Sequence, residues 1–150
     1  MSEHKVMCVR LPLQGVNLLI PYACVAEVVS LMLRPRDGAY LGEVEWRGLS
    51  VPVVSLERGC DKPIDVPRGR VRFAVLYGLH DPARLPYYAV LLNGVPRTEG
   101  ITSEQLESMV EGGCKLLGLG VKQEGQTVFV PDLEGVESWL QAAQTGQATG

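Results

Sequence analysis

The chain has 150 residues, of which 46% are hydrophobic and 21% charged, so it can bury a core as one domain or as two very small ones sharing a core. Its net charge of −3 argues against nucleic acid as a partner, because nucleic-acid-binding surfaces are normally basic. No apolar run of about 18 residues and no signal-peptide core are present, so we expect a cytoplasmic protein without direct membrane insertion.

Short alternating apolar segments dominate the first two thirds of the chain, and Val and Leu supply most of the interior, which favours sheet. Tyr22–Val29 fits either a strand or a single helical turn, and Arg34–Gly38 has the composition of a loop. The expected strands are Val6–Leu13, Val16–Ile20, Gly42–Trp46, Leu49–Val53, Val71–Tyr77, Tyr87–Leu92, Leu116–Val121 and Thr127–Val130.

Two helices are expected in the last third of the chain. Thr102 can cap a short helix with an apolar stripe of Leu106, Met109 and Val110. Asp132 can cap a last helix that docks on the body. The stretch 57–70 reads as an exposed connector, and 141–150 reads as a disordered tail, which leaves 1–140 as the folded domain.

The four cysteines (Cys8, Cys24, Cys60 and Cys114) are widely spaced, and the chain has two histidines. A zinc site needs closer ligand pairs, so we expect no metal. Cys8 and Cys24 lie in apolar runs and are interpreted as small buried hydrophobes. No disulfide is expected in a reducing compartment. Because phosphate-binding and dinucleotide-binding motifs are also missing, we expect no cofactor and no catalysis.

The segment Gly42–Glu57 is the most informative stretch. Its polar and apolar residues alternate up to Trp46, and the alternation resumes at Leu49, which predicts two strands joined by a turn at Arg47-Gly48. An arginine at the tip of a hairpin is well placed to contact a partner, since guanidinium groups bind carboxylates with two hydrogen bonds. The alternative is a solvated turn residue.

This hairpin recurs 77 positions later in the chain. Six of the fourteen positions in Val44–Glu57 are identical to their counterparts in Val121–Glu134, including the turn glycine and residues on one strand face. We infer two similar small β subdomains that share an apolar interface. A cleft between them is the natural place for a partner to bind. The matches are Val44/Val121, Gly48/Gly125, Val51/Val128, Val53/Val130, Leu56/Leu133 and Glu57/Glu134.

The chain resembles the CheW family, the adaptors that couple chemoreceptors to the chemotaxis histidine kinase. The resemblance covers about residues 6–140 and depends mainly on Gly42–Leu56, with its Arg-Gly turn and Val-Pro-Val. Leu19-Ile20-Pro21 and Val25-Ala26-Glu27-Val28 support it, and Leu91–Val95 and Gly120–Leu133 match more weakly.

The resemblance implies a mainly β fold of two five-stranded, SH3-like barrels around a joint core, with short helices. It also implies a non-catalytic adaptor whose cleft binds the receptor's helical tip, and whose barrel ends bind the regulatory domain of a CheA-type histidine kinase. Carried over by position, the receptor-facing residues are Val25, Glu27, Val28, Arg47 and Gly48. Ser55 and Asn93 stand where the family usually has aspartate, and the loop 78–86 is longer. These departures suggest a divergent member of the family, such as the CheW-like proteins of chemosensory systems that control type IV pili.

From the residues alone, Glu27 is either a solvated strand residue or the partner of an arginine such as Arg47. Val25 and Val28 fit the core unless the cleft exposes them. Two other functions stay open: a small β-barrel that binds nucleic acid, and an enzyme with its site in the inter-barrel cleft. The acidic balance argues against the first, and the missing acid–base constellation argues against the second.

Overall fold

The computed structural model describes residues 5–102, 104, 106–110, 114, 116–123 and 125–146, with the backbone alone for 106–110. The strands are β1 Val6–Pro12, β2 Asn17–Pro21, β3 Val25–Leu33, β4 Tyr40–Trp46, β5 Leu49–Val54, β6 Gly69–Tyr77, β7 Tyr87–Leu91, β8 Arg97–Ile101, β9 Leu106–Val110, β10 Leu119–Gln123 and β11 Gln126–Val130. The helices are α1 Leu56–Gly59 and α2 Leu133–Gln144, and a 3-10 turn spans Tyr22–Cys24.

Two curled sheets form the body, which confirms the mainly β class and the two-subdomain architecture. One sheet has the order β8-β1-β2-β11-β10-β9, so it has six strands where five were expected. The other has the order β3-β6-β7-β5-β4. We call the first sheet with α2 the outer subdomain, and the second sheet with α1 the inserted subdomain. The chain makes β1 and β2, then the whole inserted subdomain, and only then returns to the outer one.

A shared core holds the two subdomains together, as the repeat predicts. Leu11 and Leu18 from the outer sheet pack with Leu76 and Tyr88 from the inserted sheet, and all four are almost completely buried. Val136 and Leu140 of α2 belong to the same cluster. Each subdomain also has its own smaller interior. The two subdomains therefore bury apolar side chains against each other in this shared cluster, which stabilises both of them.

The repeated hairpins have the same surroundings in both subdomains. The turns of β4–β5 and β10–β11 contain Gly48 (φ 76°) and Gly125 (φ 79°), which have nearly the same backbone conformation. β5 runs parallel to β7, and β11 runs parallel to β2. Each hairpin leads directly into a helix, whose N-cap is Ser55 in one copy and Asp132 in the other. The inferred internal repeat is therefore also a structural one.

Two buried glutamates join the subdomains reciprocally. Glu57 of α1 accepts a hydrogen bond at 3.1 Å from the backbone N–H of Gln14, in the β1–β2 turn of the outer subdomain. Glu137 of α2 accepts the backbone N–H groups of Leu79 and His80, both at 2.8 Å, in the β6–β7 loop of the inserted subdomain. Each helix thus fixes a hairpin loop of the other subdomain.

The Tyr88 hydroxyl completes the Glu137 site by donating to Oε2 at 3.0 Å. Burial, and next the negative charge of Glu137, raise the pKa of Tyr88, so its phenol stays protonated and remains a donor. Burial followed by the same carboxylate also raises the pKa of the Cys24 thiol. This thiol is partly buried against the shared core, and Cys8 is buried in the outer subdomain, as expected.

Three expectations are corrected by the fold. The helix predicted from Leu106, Met109 and Val110 is instead β9, which pairs with β10. The stretch 57–70 is not a wholly exposed connector, because Glu57 is buried, α1 extends to Gly59 and β6 begins at Gly69. α2 continues through Gln144, into the segment expected to be a tail.

The absence of disulfides is a further expectation that the structure contradicts. Cys60, directly after α1, is bonded to Cys114, which precedes β10, with the Cα atoms 5.6 Å apart. The spacing of four scattered cysteines along the chain could not indicate this pair. The bond crosses from the inserted to the outer subdomain and closes a long loop, with a sequence separation of 54.

Reducing this disulfide is expected to lower the free energy of unfolding by about 2 kcal/mol, because the cross-link restricts the unfolded chain. Urea unfolding with and without dithiothreitol measures the difference, and intact mass after thiol blocking verifies the redox state. The Cys60→Ser, Cys114→Ser double variant is the control and should not respond to the reductant. Equal stability of the oxidised and reduced protein would contradict the expectation.

Candidate functional site

The candidate site lies at the seam where β3 and β4, the two edges of the inserted sheet, approach each other. Side chains connect these edges. Trp46 Nε1 in β4 donates to Glu27 Oε1 in β3 at 2.7 Å. The Arg47 guanidinium lies 3.2 Å from the same oxygen. Of the two interpretations of Glu27, pairing with Arg47 is the one observed.

The β4–β5 turn holds Arg47 in an unusual backbone conformation. Arg47 and Gly48 both have positive φ, at 50° and 76°, as a two-residue type I′ turn requires. Asparagine or glycine normally fills the first position, and a left-handed conformation costs an arginine about 1 kcal/mol. Its guanidinium carbon lies 4.8 Å from the centre of the Trp46 ring. A side chain kept at a conformational cost suggests a function beyond forming the turn.

The five predicted site residues differ in exposure. The Arg47 side chain is 66% exposed and that of Glu27 is 36% exposed. Val28 is 39% exposed, so it is available to a partner and is not part of the core. Val25 is half-buried and packs against the shared core. The structure therefore brings Glu27, Arg47 and Gly48 together, with Val28 beside Glu27 in β3 and Val25 at the inner end of that strand.

Two residues of the seam were not predicted. Trp46 orients Glu27 by its hydrogen bond, and the only sequence signal was its position directly before the turn. Met32 in β3 is 64% exposed and has no distinguishing sequence context. A groove of about 390 Å³ runs along the seam. It is lined by Ser30, Leu31, Met32, Glu45, Arg47, Gly48 and Arg70.

Ser55, one of the departures from the family pattern, has a structural role at the start of α1. It is buried, and its hydroxyl accepts the backbone N–H of Arg58 at 3.2 Å as the N-cap of α1. The same hydroxyl donates to Glu57 Oε1 at 3.3 Å. Serine and aspartate are both good N-caps, but only serine can also donate to a buried carboxylate. Asn93, the other departure, is exposed next to the β7 end.

Restoring the family's aspartate by Ser55→Asp is therefore expected to destabilise this protein by roughly 2 kcal/mol, because two carboxylates would face each other in a buried site. Urea unfolding gives the value. Glu57→Gln in the same chain should recover much of the loss, since an amide can donate to the new carboxylate. If Ser55→Asp alone is as stable as the unmodified chain, then repulsion from the Glu57 carboxylate does not disfavour aspartate at position 55.

The described residues contain no cluster of three or more His, Cys, Asp or Glu side chains arranged to hold a metal ion. Within the same residues, no helix is long and apolar enough to cross a membrane. Each buried side-chain nitrogen or oxygen in the described part of the chain has a hydrogen-bond partner.

Comparison with known proteins agrees with this architecture. No curated protein matches the sequence. Among solved structures, the scaffolding protein TtCheW from Thermoanaerobacter tengcongensis is similar in fold, with a TM-score of 0.67 and 13% sequence identity over 85% of this chain and 88% of that one. The family model for the CheW-like domain matches residues 5–140, which is nearly the whole chain. The chain therefore belongs to the CheW-like domain family.

Proposed function

We propose that this protein is a non-catalytic adaptor of a chemosensory system that couples chemoreceptors to a CheA-type histidine kinase in the cytoplasm. The observation that supports this most strongly is the Arg47 turn: a strained, exposed arginine beside Glu27 at the seam of the inserted subdomain. This is the part of the chain that carries the most specific family resemblance. The family match over residues 5–140 supports the same role.

The seam has the properties of a protein-binding surface. Arginine is enriched among residues that dominate interface energies. Met32 lines the same groove as Arg47, and Met32 and Val28 are both exposed apolar residues of β3. Tyr22 and Leu49, which are close in the sequence to Glu27 and Arg47, are also exposed. A mixed surface of this kind suits the side of a helical partner, where apolar and charged residues alternate along one face.

The proposed partners are the cytoplasmic tip of a chemoreceptor and the regulatory domain of the kinase. Purified fragments of both, encoded in the same genome, can be tested separately against the full chain by isothermal titration calorimetry. We expect each to bind with micromolar affinity, because adaptor interfaces in arrays are small and gain strength from multiple attachments. Binding to neither fragment would reject the adaptor function.

The downstream pathway is a narrower part of the proposal. The departures at Ser55 and Asn93 support a divergent adaptor of a system controlling type IV pili. Deleting the gene would then reduce twitching on a surface and leave swimming unchanged. Loss of swimming alone would instead assign the adaptor to flagellar chemotaxis.

A further inference from the structure

Four exposed arginines lie together along one side of the inserted subdomain. Arg70 and Arg72 alternate with buried residues in β6, so their side chains are on the same face of the sheet. Arg34 directly follows β3, and Arg68 directly precedes β6, at the paired ends of these two strands. We call Arg34, Arg68, Arg70 and Arg72 the arginine row. All four are exposed.

The arginine row continues into the seam groove. In the β3–β6 ladder, Arg70 is opposite Met32, and Arg72 is opposite Ser30. Arg70, Met32 and Ser30 also line the groove that contains Arg47. Arg70 donates to the Ser30 carbonyl at 3.3 Å, which holds its guanidinium above the strand pair. The row and the groove thus form one continuous surface.

This concentration of positive charge is unusual for a chain whose net charge is −3. No ion pair joins any residue of the arginine row to a carboxylate in the described part of the chain, where the ion-paired arginines are Arg10, Arg47 and Arg84. Neighbouring like charges repel one another, so an isolated row of arginines raises the free energy of the folded state. A bound anionic partner would remove this repulsion.

The surroundings favour a carboxylate-bearing protein segment over nucleic acid. Glu27 and Glu45 lie in or beside the groove and would repel a continuous phosphate backbone. The side chain of Met32 offers an exposed apolar contact directly opposite Arg70. Arginine also matches the planar carboxylate with two parallel hydrogen bonds. In a segment with alternating acidic and apolar side chains, the carboxylates could bind the arginines and the apolar side chains could contact Met32.

We propose that the arginine row and the seam groove together bind an acidic segment of a partner protein that also carries apolar side chains. This site is larger than the Arg47 site carried over from the family pattern, and it does not require the adaptor function. A chain that failed to bind receptor or kinase fragments could still bind such a segment through Arg70 and Arg72.

A direct test measures fluorescence anisotropy of a labelled twelve-residue peptide that repeats Glu-Leu-Glu-Ser, added to the full chain. We expect a Kd on the order of 10–100 µM at low salt, weakening as salt is raised. The Arg70→Glu, Arg72→Glu double variant should weaken binding by about tenfold or more. Arg97→Glu is the matched control, because Arg97 is exposed on β8 of the other sheet, and it should change binding little.

Three further outcomes would decide against the proposal. Equal peptide binding by the Arg70→Glu, Arg72→Glu variant and the unmodified chain would show that the arginine row is not used. A labelled twelve-residue oligothymidine binding more tightly than the peptide would assign the surface to nucleic acid. Tighter binding to phosphatidylglycerol vesicles would assign it to a lipid surface. A Met32→Ser variant that weakened the peptide about threefold would support recognition of the apolar side chains.

Discussion

Replacing Glu137 with alanine is expected to lower the free energy of unfolding by about 4 kcal/mol, because a buried carboxylate with three donors is removed at once. Glu137 is completely buried. Without it, the N–H groups of Leu79 and His80 and the Tyr88 hydroxyl lose their acceptor. The contact between α2 and the β6–β7 loop would be weakened, with the hydrogen bond from Gln141 Nε2 to Asp81 Oδ2 remaining.

Urea unfolding followed by tryptophan fluorescence and by circular dichroism measures this effect. Glu134→Ala is the matched control, since Glu134 is exposed in the first turn of the same helix and should cost less than about 0.5 kcal/mol. Glu137→Gln should be intermediate, because its amide oxygen can still accept. Equal stability of the Glu137→Ala and Glu134→Ala variants would show that the buried carboxylate does not join the subdomains.

Arg47→Glu is the substitution with the largest expected effect on function. Its side chain is mostly exposed, so the fold should survive, with a small loss from placing a second carboxylate beside Glu27. Binding of the receptor tip should weaken by roughly 3 kcal/mol, a little over a hundredfold in Kd, as expected for reversing the charge of a dominant interface residue. Calorimetric titration with the receptor fragment gives the affinity.

The charge-swapped double variant, Glu27→Arg with Arg47→Glu, separates two explanations for weaker binding by Arg47→Glu: loss of a direct contact with the partner, and loss of the ion pair with Glu27. It re-forms an ion pair across the β3–β4 seam with the charges exchanged. If Arg47 contacts the partner, affinity should stay low in the double variant. Recovery of the original affinity would show that Arg47 acts by closing the seam and not by contacting the partner. Cooperative melting well above the temperature of the titration in both variants shows that unfolding is not the cause.

Local patterns predicted the hairpins and the last helix well. The Arg47-Gly48 turn, the Asp132 cap and the Val71–Tyr77 strand each follow from side-chain alternation or capping chemistry within a few residues. The repeat correctly indicated two similar subdomains with a common core, because identical residues fell on turn and strand positions that impose the same geometry. These features depend on neighbours that are close in the sequence.

The features that were missed depend on distant neighbours. Leu106, Met109 and Val110 have helical spacing, yet the backbone there extends to pair with β10, because a sheet edge can override a weak local preference. Glu57 was read as part of a solvated connector, since its partner Gln14 is far away in the sequence. The discontinuous course of the outer subdomain likewise follows from the pairing of β11 with β2.

The insertion of one subdomain within the other has a consequence for biosynthesis. On the ribosome, β2 emerges early, but the strand that covers its free side, β11, is among the last segments to be made. All five strands of the inserted sheet are available well before that, so this unit can complete its pairing while the β1–β2 hairpin still lacks its outer neighbours, β8 and β11. A nascent chain that stalls before β11 would leave one edge of β2 unpaired, and an unpaired strand edge is prone to pair with other chains.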